Sequence, residues 1–110
     1  MHELALTQSI VDTVQARTEG AQVKVVRLEV GKLSGVVADA VRFCFELVAD
    51  GTSLAGATLD ISEPAGEAYC RTCARTFVAD DLILLCDCGS ADVELRHGDQ
   101  LLIRSVEVAA

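Results

Sequence analysis

Four cysteines, Cys70, Cys73, Cys86 and Cys88, fall in the order C-x2-C…C-x-C within a chain of 110 residues. Two short turns each aim a pair of sulfurs at one point, a spacing suited to a single tetrahedral ion. That pattern constrains the fold more than any other feature, because the chain between residues 67 and 96 must close on itself to bring the pairs together. The second pair is one residue shorter than the usual C-x-x-C-G knuckle, so Cys86 has to reach the site through a tighter turn. Four thiolates fill a zinc coordination sphere and leave no position for substrate or water, which points to a structural and not a hydrolytic metal. A redox role for Cys70-Arg71-Thr72-Cys73 would need a surrounding βαβ pattern, and none is present.

Grouped cysteines favour metal over disulfides, and the start, Met1-His2-Glu3, has no basic stretch followed by an apolar one. The expected compartment is therefore the reduced cytoplasm. No apolar run approaches the roughly 20 residues of a membrane helix. Half of the residues are hydrophobic, enough for a core. The formal net charge is −8, and nine of the acids lie between residues 60 and 99 against three arginines. Nucleic-acid binding needs positive charge to displace counterions, so this segment would repel it. A cation or a basic protein partner suits the field better.

Around the cysteine segment, the periodicity predicts an α+β fold. Leu6, Ile10 and Val14, with Val11 beside them, mark a helix over residues 4–17, and Gly20 stops it. Val26, Leu28 and Val30 alternate with Arg27 and Glu29 in a strand over 23–30. A turn at 31–35 leads to a second helix over 37–49, with Val37, Val41, Cys44, Phe45 and Val48 on its apolar face. Cys44 reads as a buried structural thiol. Strands are expected at 58–63 and 101–108, with short β-rich runs at 76–78 and 82–85 inside the cysteine segment. The resulting expectation is a small three-stranded sheet covered by two helices, with an inserted zinc-ribbon-like lobe. Residues 1–66 and 97–110 would form the main domain. Residues 67–96 would form a compact knob that leaves and rejoins the same sheet.

The amino terminus offers a second set of donors. The α-amine of Met1, the backbone nitrogen of His2 and its imidazole close five- and six-membered chelate rings, and Glu3 supplies a fourth donor. Planar nitrogen-rich ligation suits Ni(II) or Cu(II), and its donors must be deprotonated. By itself a histidine at position 2 is also what a solvated tail would carry. His97, beside Gly98, reads as an exposed turn residue, with a supplementary metal ligand as the lesser alternative. Gly31-Lys32 is not a phosphate loop, since that motif would need glycine where Val26 stands and Ser or Thr where Leu33 stands. No nucleophile–base pair can be assembled, so no enzyme is expected.

Met1-His2-Glu3 opening the first helix, Gly31-Lys32-Leu33-Ser34 after the first strand, Phe43-Cys44-Phe45-Glu46-Leu47-Val48 on the second helix, and Cys70-x-x-Cys73 with Cys88-Gly89-Ser90 occur together. In this combination the chain resembles the HypA/HybF family of hydrogenase maturation proteins over nearly its whole length. The resemblance implies a nickel metallochaperone serving the [NiFe]-hydrogenase large-subunit precursor, with a HypB-type GTPase as partner and urease maturation proteins as further partners in some relatives. It implies nickel at Met1, His2 and Glu3, and zinc at Cys70, Cys73, Cys86 and Cys88. The competing reading is a zinc-ribbon adaptor that handles no nickel and presents Asp80, Asp81 and Asp87 to a basic partner. Neither reading involves nucleic acid or a membrane.

Overall fold

A computed structural model describes residues 2–110. Helix α1 spans Glu3–Arg17, strand β1 Val23–Val30, helix α2 Ala38–Ala49 and strand β2 Thr58–Ser62. Strands β3 (Gly66–Cys70), β4 (Thr76–Ala79), β5 (Val93–His97) and β6 (Leu101–Val108) follow. They make two three-stranded sheets, β2-β1-β6 and β4-β3-β5, in a molecule 53 × 26 × 17 Å along its principal axes.

In the first sheet β1 is central, parallel to β2 and antiparallel to β6. Its even-numbered apolar residues Val26, Leu28 and Val30 point to one face, where Ile10, Val11 and Val14 of α1 and Val41 and Phe45 of α2 cover them. Leu54, fully buried, closes that core. The opposite face is polar, and Arg27 pairs there with Asp60 and Glu107.

Two bulges adjust the alternation. Lys24 in β1 and Arg104 in β6 have no cross-strand partner, so the register steps from Val23–Val108 to Val25–Glu107 and from Arg27–Ser105 to Leu28–Ile103. An inserted residue shifts the two-residue period by one. Val23 therefore shares the core face with Val26, and along β6 the core-facing positions are 101 and 103, then 106 and 108.

The structure corrects several expectations. The cysteine segment, expected as a compact knob with short β-rich runs, is a three-stranded antiparallel sheet with its own apolar cluster of Leu33, Ala68 and Ala79, flanked by Phe77, Leu84, Val93 and Leu95. Residues 82–85 form no strand; Leu82 and Ile83 stand 68% and 81% exposed, held by an Ile83 N–H bond to Asp81 Oδ1 at 2.8 Å. Val37 lies off the apolar face of α2 as its exposed N-cap residue. Cys44 is half-buried.

The two sheets meet where backbone packs on backbone. Gly98 sits at φ +107°, and a Cβ there would lie 2.4 Å from the Gly66 Cα. Neither position accepts a side chain without displacing main chain. Hydrogen bonds from Leu33 N–H to Gly98 O (2.7 Å), from Gly31 N–H to Gln100 O (2.8 Å) and from Lys32 N–H to Pro64 O (2.9 Å) knit the same junction. The turn after β1 thereby inserts Leu33, 8% exposed, into the core of the second sheet.

Candidate metal centre

The second sheet places Cys70 at the end of β3 and Cys73 in the turn toward β4. Cys70 N–H donates to Arg75 O at 2.8 Å, closing that turn around Ala74 at φ +58°. Left-handed backbone is strained for a residue with a Cβ, and a knuckle usually has glycine there. In the second turn Gly89 N–H donates to Cys86 O (2.9 Å) and Cys86 N–H donates to Ser90 O (3.0 Å), with Gly89 at φ +91°. This is how the shortened C-x-C spacing still presents both sulfurs. The Thr72 and Ser90 hydroxyls lie 2.7 Å apart and Arg71 N–H donates to Asp92 O at 3.0 Å, which ties one turn to the other.

All four sulfurs lie within 4.8 Å of one another, with Cys70–Cys88 at 3.7 Å and Cys73–Cys86 at 3.6 Å. A tetrahedron with Zn–S of about 2.3 Å has edges of about 3.8 Å, so the donor set and its size fit a four-thiolate zinc site. Cys70 and Cys86 are buried, while Cys73 and Cys88 are exposed.

The electrostatics explain why this cluster wants a cation. Backbone N–H groups, first that of Cys73, pull the Cys70 thiol down to about 6. The Cys86 thiol, burial and Cys70 push Cys73 up to about 12. At Cys88 the Ser90 N–H lowers the value, but Cys86, burial and Cys70 outweigh it and the net shift is upward. One thiolate thus forms readily and suppresses its neighbours, an imbalance that a divalent ion removes.

On the first sheet's side of the molecule, His2 is the N-cap residue of α1. It is exposed, its carbonyl accepts from Leu6 N–H at 3.0 Å, and its imidazole makes no capping bond. Met1 lies outside the described residues. The Glu3 carboxylate accepts from Val37 N–H at 3.0 Å, at the start of α2, whose N-cap has no side-chain partner of its own. That bond, with Glu3's own N–H, holds the carboxyl below its usual range. An anion at a helix N-terminus is favourable, so Glu3 ties the first turn of α1 to α2. Nothing in the sequence pattern pointed to this contact. His97 does not join the sulfur cluster; it sits on β5 opposite Glu67, Nε2 to Oε1 3.8 Å.

A family model described as "Hydrogenase/urease nickel incorporation, metallochaperone, hypA" matches residues 1–108. The chain belongs to the HypA family. A hydrogenase maturation factor HypA from Nostoc punctiforme is 44% identical over 108 residues, covering 98% of this chain and 96% of that protein. One from Rhizobium leguminosarum bv. viciae is 45% identical over 112 residues, covering 98% and 99%. The fold matches the solution structure of the nickel metallochaperone HypA from Helicobacter pylori with a TM-score of 0.67 at 24% identity, covering 100% of this chain and 99% of that one. HypA-family membership places the chain among maturation factors of the metallochaperone type. No helix among the described residues is long and apolar enough to cross a membrane.

Proposed function

We propose that the chain carries Ni(II) to the large-subunit precursor of a [NiFe]-hydrogenase in the cytoplasm, and that Cys70, Cys73, Cys86 and Cys88 hold a structural zinc. Nickel is cargo, bound through Met1, His2 and Glu3. The observation that carries this reading is the position of His2. It heads α1 in solvent, its imidazole is uncommitted to the helix, and the sulfur cluster forms separately on the second sheet. A site at a chain end can open for transfer without disturbing the core.

Within this reading Glu3 contributes its backbone nitrogen, giving up the N–H bond to its own carboxylate, which stays engaged at Val37. The GTPase that drives transfer is a separate HypB-type partner, and urease maturation proteins are further candidate partners. Residues 1–66 and 97–110 act as the nickel-handling domain and 67–96 as the zinc lobe.

The adaptor reading retains one observation in its favour. Leu82, Ile83 and Leu85 form an exposed apolar tip beside Asp80, Asp81 and Asp87, a surface suited to a protein with a basic rim. The two readings separate on the α-amine. A short N-terminal extension that blocks it should abolish nickel transfer to the purified precursor while leaving zinc content and precursor binding intact. Transfer at the untagged rate by the extended chain would leave the adaptor as the better account.

A further inference from the structure

Strand β6 is an edge: it pairs with β1 on one side, and among the described residues no strand pairs with its other side. It runs for eight residues with Leu102, Ile103 and Val108 exposed. Long edges with apolar side chains invite another strand. Beside it lie two adjoining apolar cavities of about 270 and 310 Å³ between α1 and β6, both lined by Thr13 and Ile103.

The bulge at Arg104 decides what fits. Because it shifts the alternation by one, the core-facing positions 101, 103, 106 and 108 are arranged symmetrically about the 104/105 peptide bond. Gly31 N–H bonds to Gln100 O at one end of the ladder and Ala109 N–H to Gln22 O at the other. Counting alternately from each end, the same four positions turn their N–H and C=O away from β1. A strand whose free backbone groups and apolar side chains share one centre of symmetry is complementary to itself in antiparallel order.

We infer that β6 pairs with β6 of a second copy of this chain, about a two-fold axis at the 104/105 peptide, joining the two first sheets into one of six strands. Ile103 then stands opposite Val106 of the partner subunit, and Leu101 opposite Val108 of the partner subunit, over the cavities beside α1. On the outer face Arg104 is diagonal to Glu107 of the partner subunit. Within its own chain Arg104 lies 4.0 Å from Glu29, and Glu107 also pairs with Arg27 at 3.0 Å. The two-fold axis repeats the diagonal contact, so each base meets an acid. Such diagonal pairs are within reach of long side chains. The pairing is built from the first sheet alone and does not rest on the nickel reading.

Sedimentation equilibrium of the zinc-loaded full chain, over about 5 to 500 μM to span weak affinities, should show a monomer–dimer equilibrium. Arg104→Glu and Glu107→Arg should each weaken it about tenfold or more, since either change sets like charges together twice. Mixed one to one, the two variants should recover the dimer, because each then supplies the charge that the other lacks. In the wild-type chain, amide exchange at Ile103 and Val106 should slow as concentration rises, a readout that needs no variant. A monomer throughout the range would overturn the proposal. So would a dimer that survives both single reversals, a mixture that fails to recover, or exchange at Ile103 and Val106 that ignores concentration.

Discussion

The two sheets have three strands each and are held together by different physics. The helix-covered sheet buries a continuous cluster running through α1, β1 and α2, including the fully buried Val11, Val26, Val41 and Leu54. Apart from its cysteines, the cysteine sheet buries three apolar residues, two of them alanines, and the third, Leu33, is borrowed from the other half of the chain. So little apolar area cannot offset the entropy of ordering about thirty residues. A metal can, because folding the lobe and forming its site are one event. The difference teaches where each half is vulnerable: the first to cavities in its core, the second, on the proposed zinc site, to loss of the ion.

The sharpest break should come from chelation. Stripping zinc, or changing Cys86 to Ser, should abolish amide-exchange protection across β3, β4 and β5 and leave that of β1 and α1 close to the intact protein. Uniform loss across both sheets in a heteronuclear exchange experiment would contradict the contrast. Next is Leu33→Ala, expected to cost about 2–3 kcal/mol, as for other buried leucines. That loss should register as weaker zinc retention and lower protection in β3–β5, although residue 33 follows β1 in the chain.

A third test uses acid. Cys73, up at about 12, and Cys88, raised above the ordinary thiol value, hold their protons at pH 8 in the metal-free site, and zinc must displace both. Zinc affinity should therefore weaken as pH falls from 8. It should weaken more steeply below about 6, where Cys70 also takes up a proton. Calorimetry in buffers of different ionisation enthalpy would count the protons, and fewer than two released at pH 8 would contradict the assignment. The smallest effect is a gain: Ala74→Gly should relieve left-handed strain and stabilise the zinc lobe by about 0.5–1 kcal/mol, visible as slower zinc loss to a chelator.

The sequence made the first sheet readable because its signals are large apolar residues at clear periods. Val26, Leu28 and Val30 alternate and α1 repeats at i, i+4, so elements and faces followed. The second sheet was harder for a physical reason. The buried residues of β3 are Gly66, Ala68 and Cys70, which carry almost no hydrophobic signal. The most apolar run in the segment, residues 82–85, is a loop in which Leu82, Ile83 and Leu85 are exposed and only Leu84 packs inward. Strand β5 did carry an alternation, Val93 and Leu95 against Glu94 and Arg96, that could have been used. At the metal centre the spacing named all four cysteines, and the turn hydrogen bonds at Ser90 and Gly89 account for the short pair. The Glu3–Val37 bond and the burial of Leu33 depend on tertiary contacts 34 residues apart or on a neighbouring sheet, and no local pattern encodes them.

The central claim is that the two halves bind different metals independently, nickel at the chain end of the first and zinc within the second. The most direct test is a nickel titration of zinc-loaded, untagged chain beside its His2→Ala variant, with both metals counted. The account predicts one nickel per wild-type chain, none in the variant, and unchanged zinc in both. Equal nickel uptake by the two proteins, or zinc displaced as nickel enters, would contradict it.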